Sequence, residues 1–294
     1  MKPASIAGVW AATASVPVRF ARSARILVLF LVIIPAALHA AVNVYPTEVF
    51  VKPPNRSAPV TVKNPSDREV EVWLTFAYEY PVAFDSSGIR MESGDSTSLD
   101  EPNAVKWLRA IPQRFTLRPQ ESQVVRIYGT PPPGLRSGEY WARVVVSSKE
   151  LKPATPLQDQ GGMKIGMTII TNTVVPFHFR VGATTSNVTI RDANISGVGK
   201  GVHVRVLLDR QGNAAYWGRL TTKILSPGGK VIRTKESRIV VYKTMDYSTD
   251  VDLSGELTGS YTVELTVDNH HPSLSPEFRI PGRSVTQRYS VLLQ

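Results

Sequence analysis

Residues able to do covalent chemistry are present in this chain, but none of the recognisable catalytic patterns is. His178, His203, His270 and His271 show no useful spacing relative to one another or to acids, and they read as strand or turn surface residues. There is no G-x-S-x-G elbow, no H-E-x-x-H pair and no Walker A loop. Gly197-Val-Gly-Lys-Gly201 lacks the Lys-Ser/Thr ending of a phosphate loop and lies between two strand-like runs, so it reads as a hairpin or loop. Asp246, Asp250 and Asp252 have the chemistry to ligate calcium. However, residues 249–253 read as strand, which leaves little room for a closed loop, and the three are taken as solvated acids. Asp192 and Asp209 are isolated. With no cysteine in the chain, thiolate nucleophiles, zinc ribbons and iron–sulfur ligation are excluded. The expectation is a protein that is not an enzyme, with no metal and no cofactor.

The chemistry that remains is non-covalent. In Met163 to Arg180, residues Ile165, Met167, Ile169, Thr171, Thr173, Val175, Phe177 and Phe179 fall on one parity. On a β-strand one parity is one face, and here that face is apolar apart from two threonines, which suit strands. The polar, turn-rich segment from Ser147 to Gly162 comes just before it and reads as a long mobile loop. A strand so delivered either completes its own sheet or is lent to another chain's sheet.

The rest of the sequence supplies the elements that must position this strand. Lys2, Arg19, Arg22 and Arg25 are the only charges in residues 1–40, and the apolar run Ile26–Leu38 ends in Ala-Leu-His-Ala. A basic stretch, a short apolar core and small residues describe a secretory signal peptide, with a retained anchor as the alternative. Its removal lowers the net charge from +10 to +6, a mildly basic surface without the density that nucleic acid needs. Asn55, Asn187 and Asn194 match the N-glycosylation acceptor pattern.

After residue 40, strand-like runs recur between turn clusters. Val42–Tyr45, Ala58–Lys63, Glu69–Tyr80, Arg114–Leu117, Gln123–Tyr128, Glu139–Ser147 and Lys164–Arg180 form a first set. A second set lies between Asn187 and Leu292. Seven strands at this spacing in the first set read as an immunoglobulin-like β-sandwich. The expected fold is all-β, with two immunoglobulin-like β-sandwich domains in tandem: residues 41–182 and 183–294, after a signal peptide at 1–40. Pro176 interrupts the last strand of the first set, which places that position at a sheet edge or at the exit from the domain.

An ordered set of motifs then points to a family. Phe115-x-Leu-x-Pro119-x-x-Ser-Gln-x-Val-Arg126-Ile, Arg136-x-x-Glu-Tyr-Trp-Ala-Arg-Val-Val, and the alternating strand ending Phe-His-Phe-Arg180 resemble the N-terminal domain of PapD-type periplasmic pilus chaperones. Ala41-Val-Asn-Val-Tyr-Pro-Thr and Val60-Thr-Val-Lys-Asn-Pro-Ser-Asp67 fit the family's first two strands. The resemblance covers roughly residues 41–182; the second domain matches in size and β character only.

The resemblance implies two sandwiches and a seventh strand inserted into a pilin sandwich that lacks one. It gives Ile165, Met167, Ile169 and Thr171 as the lent face. It also implies a basic pair holding the subunit's terminal carboxylate, but the two aligned positions are Glu48 and Pro176, neither of them basic. Arg180, Arg143 and Lys164 are the candidate replacements. Arg180 also aligns with an arginine that the family uses between domains, with Glu139 as its acidic partner. The implied partners are pilus or fimbrial subunits and an outer-membrane usher, with no nucleic acid and no small-molecule substrate, in the periplasm. The competing readings are a structural or adhesive surface subunit, and a carbohydrate- or wall-binding module using Trp73, Trp107, Trp141 and Trp217 as stacking platforms. If residues 1–40 are a signal peptide, N-terminal sequencing of the exported protein begins near Ala41; a start before Ile26 contradicts this.

Overall fold

A computed structural model describes residues 41–95, 101–151, 158–160, 163–165, 168–253 and 258–293. Residues 40–294 form one compact unit. The signal-peptide expectation falls outside the described residues. Among the described residues there is no α-helix, and no helix is long and apolar enough to cross a membrane.

The chain is all-β, with two sandwiches in tandem. In the first, β1 (Asn43–Tyr45), β3 (Ser57–Lys63), β9 (Ser122–Gly129) and β7 (Leu108–Ile111) form one sheet, in the order β1-β3-β9-β7. The facing sheet holds β2 (Val49–Val51), β13 (Ile170–Val181), β10 (Gly138–Glu150), β4 (Val70–Ala77) and β8 (Arg114–Leu117), in the order β2-β13-β10-β4-β8. Alternation drives this packing. Val70, Val72 and Leu74 of β4 and Val125 and Ile127 of β9 are fully buried between the sheets, while the residues between them are more open. Val175, Phe177 and Phe179 of β13 join the same core.

The second sandwich pairs β17 (Val231–Val241), β16 (Tyr216–Leu225), β19 (Gly259–Asp268) and β20 (Val285–Leu293) against a sheet of mixed origin. That sheet runs β14 (Ser186–Val198), β15 (Gly201–Gly212), β18 (Thr244–Asp252), β5 (Glu79–Asp85), β6 (Gly88–Ser93). The hairpin β5–β6 thus leaves the sequence of the first sandwich and extends a sheet of the second. It does so through a short parallel contact, Asp246 with Ala83 and Tyr247 with Phe84. The Gly197–Gly201 segment is the β14–β15 hairpin, with Gly199 turning at a φ of 55°.

Three sequence expectations need correction. The run Glu69–Tyr80 is two strands, because the chain breaks at buried Tyr78 and redirects to the other sheet. The polar segment from Ser147 is not loop at its start, since β10 continues to Glu150. Its charged end is held by cross-strand pairs, Lys149 to Glu71 at 3.0 Å and Glu150 to Arg68 at 2.9 Å. The stretch 163–180 is not one strand. The β10–β13 ladder ends at Lys149–Ile170, and β12 (Met163–Ile165) pairs instead with β11 (Gln158–Gln160) in a separate hairpin.

Along one side, β13 pairs with β10 from Ile170 to Val181. On its other side β2 covers only Phe177 to Phe179. From Ile170 to Pro176, the outer edge of β13 has no ladder partner among the described residues. Pro176, which has no N–H to donate, stands where that open edge ends.

Candidate functional site

The two sandwiches meet over a hydrophobic cluster, mostly aromatic, that includes Tyr78, Tyr80, Trp141, Trp217, Tyr242 and Leu274. Glu139 lies at its centre, fully buried. Arg180 donates from Nε to Glu139 Oε2 at 2.8 Å, and His178 Nδ1 lies 2.9 Å from Oε1. The Ala215 amide, from the second sandwich, donates to Oε1 at 3.3 Å. Tyr242 Oη is 3.1 Å from His178 Nε2, and Arg180 also reaches the Phe278 carbonyl at 2.8 Å. Burial pushes the Glu139 carboxyl up, but His178 and Arg180 outweigh it and hold it below its ordinary value. Burial keeps His178 below its ordinary value and pushes the Tyr242 hydroxyl up to about 12. A neutral His178 that donates from Nδ1 and accepts the Tyr242 hydroxyl at Nε2 satisfies every partner.

The linker obeys the same geometry. Gly182 has a φ of +61°, and a Cβ there would sit 2.3 Å from Ser137 Oγ, so glycine is required. Asn213 of the second sandwich donates from Nδ2 to the Ser137 and Ala183 carbonyls, and its own carbonyl accepts the Glu139 amide.

Beside this junction opens a cleft of about 450 Å³. Glu48 and Pro176, the two positions aligned with the family's basic pair, both line it, and so do Arg143 and Arg238. Arg143 is buried. Its Nε donates to the Glu79 carbonyl at 3.1 Å, and its guanidinium lies over the Tyr242 ring at 5.2 Å. A buried guanidinium that lines a cleft attracts an anion to it. Burial pushes the Glu48 carboxyl up, with the Arg238 charge opposing.

Of the remaining sequence candidates, Arg180 is committed to Glu139 between the sandwiches and does not line this cleft. Lys164 and Ile165 lie in β12, where only the backbone is described, and Met167 lies outside the described residues. Ile169 is 41% exposed immediately before β13, and Thr171 is partly buried opposite Ser148. On the other parity Ile170 is 54% and Val174 47% exposed. The unpaired edge of β13 therefore carries exposed aliphatic side chains down to the cleft, which Val174 and Pro176 also line.

Sequence reasoning missed three histidine environments. His178 and His271 are buried, not on the surface. His271 stacks edge-on against Trp217, and burial lowers it to about 4. His203 bridges Asp250, at 2.7 Å from Nδ1, and Ser248, at 2.9 Å from Nε2. This order of atoms is that of a hydrolytic triad, but it lies on a partly exposed sheet face. The backbone around Ser248 belongs to the β15–β18 ladder. These contacts join residues more than 35 positions apart in sequence, beyond the reach of any spacing rule.

No family model matches the chain, and no curated protein matches it. Solved structures are similar to it at low sequence identity. The class 5 fimbriae chaperone CfaA is 15% identical, with 84% of this chain and 98% of that chain covered and a TM-score of 0.40. The E. coli chaperone DraB is 14% identical over 86% and 98%, with a TM-score of 0.39. The match to the CsuC–CsuE chaperone–tip adhesion subunit pre-assembly complex of Acinetobacter baumannii is 9% identical over 87% and 100%, with a TM-score of 0.42. This chain is similar in fold to fimbrial chaperones.

Two predictions follow from the junction and the cleft. Glu139→Ala strands the Arg180 charge in the interior, which costs about 3–5 kcal/mol. Calorimetry should find a melting temperature lower by roughly 10 °C, and an unchanged melting temperature contradicts the network. A carboxyl whose folded value is raised, as for Glu48, contributes stability that is fully present below a glutamate's ordinary 4.5 and is lost as pH rises through the folded value. Glu48→Gln is therefore expected to raise the melting temperature at neutral pH and to leave it unchanged below pH 4.5.

Proposed function

We infer that this protein is a periplasmic chaperone for pilus or fimbrial subunits, exported by a signal peptide. It lends the β13 edge to a subunit that lacks a strand and hands that subunit to an outer-membrane usher. One observation carries the reading: among the described residues the outer edge of β13 has no ladder partner from Ile170 to Pro176, and Ile170 and Val174 on it, with Ile169 just before it, are exposed. Such an edge is an aggregation hazard unless a partner strand covers it. A subunit strand laid there gains ladder hydrogen bonds and buries alternate aliphatic side chains, each worth ~1.5–3 kcal/mol when fully covered.

The edge also supports a direction. β2 occupies it from Phe177 onward, so a guest strand has to end or turn at Pro176. Arg143 is the residue paired with Pro176 across β10–β13. A free carboxylate at the guest's end would meet that guanidinium, which favours a guest strand running parallel to β13. Arg143 thus takes the anchoring role for which Arg180 and Lys164 were also candidates.

The competing readings have less support. Both sandwiches bury their own cores, as Phe177 and Leu265 show, whereas a surface subunit of this kind needs a donor to complete it. Trp141 and Trp217 are buried, Trp73 and Trp107 are partly buried, and none presents an open stacking platform.

Because Ile169 is exposed, Ile169→Asp is expected to leave the melting temperature within about a degree of wild type. The same change is expected to weaken capture of the pilin-like protein encoded beside this chain by roughly 30-fold or more, since a carboxylate is forced into an apolar groove. Val175→Asp, on the same parity but inside the core, should instead unfold the protein. Wild-type capture by Ile169→Asp removes the donor role from this edge.

A further inference from the structure

The outer face of the β1-β3-β9-β7 sheet carries a surface pattern that strand donation leaves unused. Along β9, Val125 and Ile127 are buried in the core, which turns Val124, Arg126 and Tyr128 outward. On β7 the same alternation buries Leu108 and Ala110 and exposes Arg109 and Ile111. The register sets these residues in rows. Arg126 is opposite Ile111, Tyr128 is opposite Arg109, and Val124 is followed across the sheet by Thr61 and Tyr45. Tyr45 is 74%, Ile111 59% and Val124 52% exposed. Lys63, also exposed, ends β3. Open aliphatic and aromatic side chains thus alternate with cations over one sheet face.

None of these four strands contains an aspartate or a glutamate. The second sandwich treats its cations differently. On its β17-β16-β19-β20 sheet, Arg219 lies 3.0 Å from Asp268 and Arg288 2.7 Å from Glu264, so each is answered within the sheet. For the first sandwich, an anionic surface supplies the complementary charge that its four strands lack.

We propose that this face binds the surface of an anionic lipid bilayer. The placement of the charges favours lipid over an acidic protein. Arg126 stands among the apolar residues, with Val124 and Tyr128 on either side along β9 and Ile111 opposite. The core of a protein interface is depleted of charge, and a guanidinium there has to be desolvated together with its acid. A headgroup layer instead meets the cation with phosphate that stays hydrated, while the aliphatic side chains and tyrosine rings enter the interface beside it. Lipid binding here is independent of the chaperone reading, because the face belongs to the sheet that does not contain β13.

The test sediments the exported protein with vesicles of phosphatidylcholine alone or mixed equally with phosphatidylglycerol. Binding to the anionic vesicles is expected to be roughly tenfold tighter or more, and to weaken as salt rises. The double variant Arg109→Gln, Arg126→Gln, altered only at exposed positions, should keep the wild-type melting temperature and lose roughly 30-fold in that binding. Val124→Ser, Tyr128→Ser keeps the charge and should lose roughly tenfold. Arg205→Gln, Arg288→Gln, on the second sandwich, removes the same charge and should bind close to wild type. Equal affinity for the two kinds of vesicle overturns the proposal, as does no binding to either, an equal loss in the two arginine pairs, or no loss in the serine pair. Tighter binding to soluble polyglutamate than to the anionic vesicles assigns the face to an acidic protein and overturns it as well.

Discussion

A single buried carboxylate sets the geometry on which the site depends. Glu139 sits where water cannot reach it, so each of its oxygens must find a partner within the protein. Arg180 and His178, two residues apart on β13, supply partners from the first sandwich, and the Ala215 amide supplies one from the second. The two domains can satisfy that carboxylate together in only a narrow range of relative positions. The aromatic rings around it, stacked from Phe50 through His178 to Tyr242, fill the remaining space and keep water out. The position of the cleft, and of Arg143 facing it, follows from that constraint.

Under the proposed function the same strand serves both jobs. The C-terminal half of β13 buries Phe177 and Phe179 on one face and gives His178 and Arg180 to the junction on the other. Among the described residues its N-terminal half is paired on one side only, because β2 reaches only Phe177 to Phe179. A strand anchored so firmly at one end can leave its other end open without fraying from β10, to which it is paired as far as Ile170. An open edge held in a fixed register is what strand addition needs, since a slip of one residue would present the wrong face to the guest.

Much of this was legible in the sequence, and the gaps have physical causes. The all-β class and most strand positions followed from alternation, as in β9 and β19, where buried and open residues interleave along the strand. Arg180 and Glu139 were singled out together through a resemblance, and they lie 2.8 Å apart. Periodicity could not reveal that Glu79–Ser93 would leave its neighbours and join the other sandwich, because a strand's pattern reports burial and not its partner. The charged end of β10 read as loop because its stability comes from cross-strand ion pairs, invisible until the register is known. His178 read as surface for the same reason: histidine is buried only where partners wait for both nitrogens, and these are Glu139, 39 residues away, and Tyr242, 64 away.

The central claim is that β13 lends its open edge to a guest strand. Backbone amide hydrogen exchange, followed residue by residue in the protein alone and bound to a fimbrial subunit, tests it most directly. The account predicts that exchange slows on binding from Ile169 to Val175, while Phe177 to Phe179, already covered by β2, change little. Unchanged exchange along Ile169–Val175, with protection appearing on another edge, would contradict it.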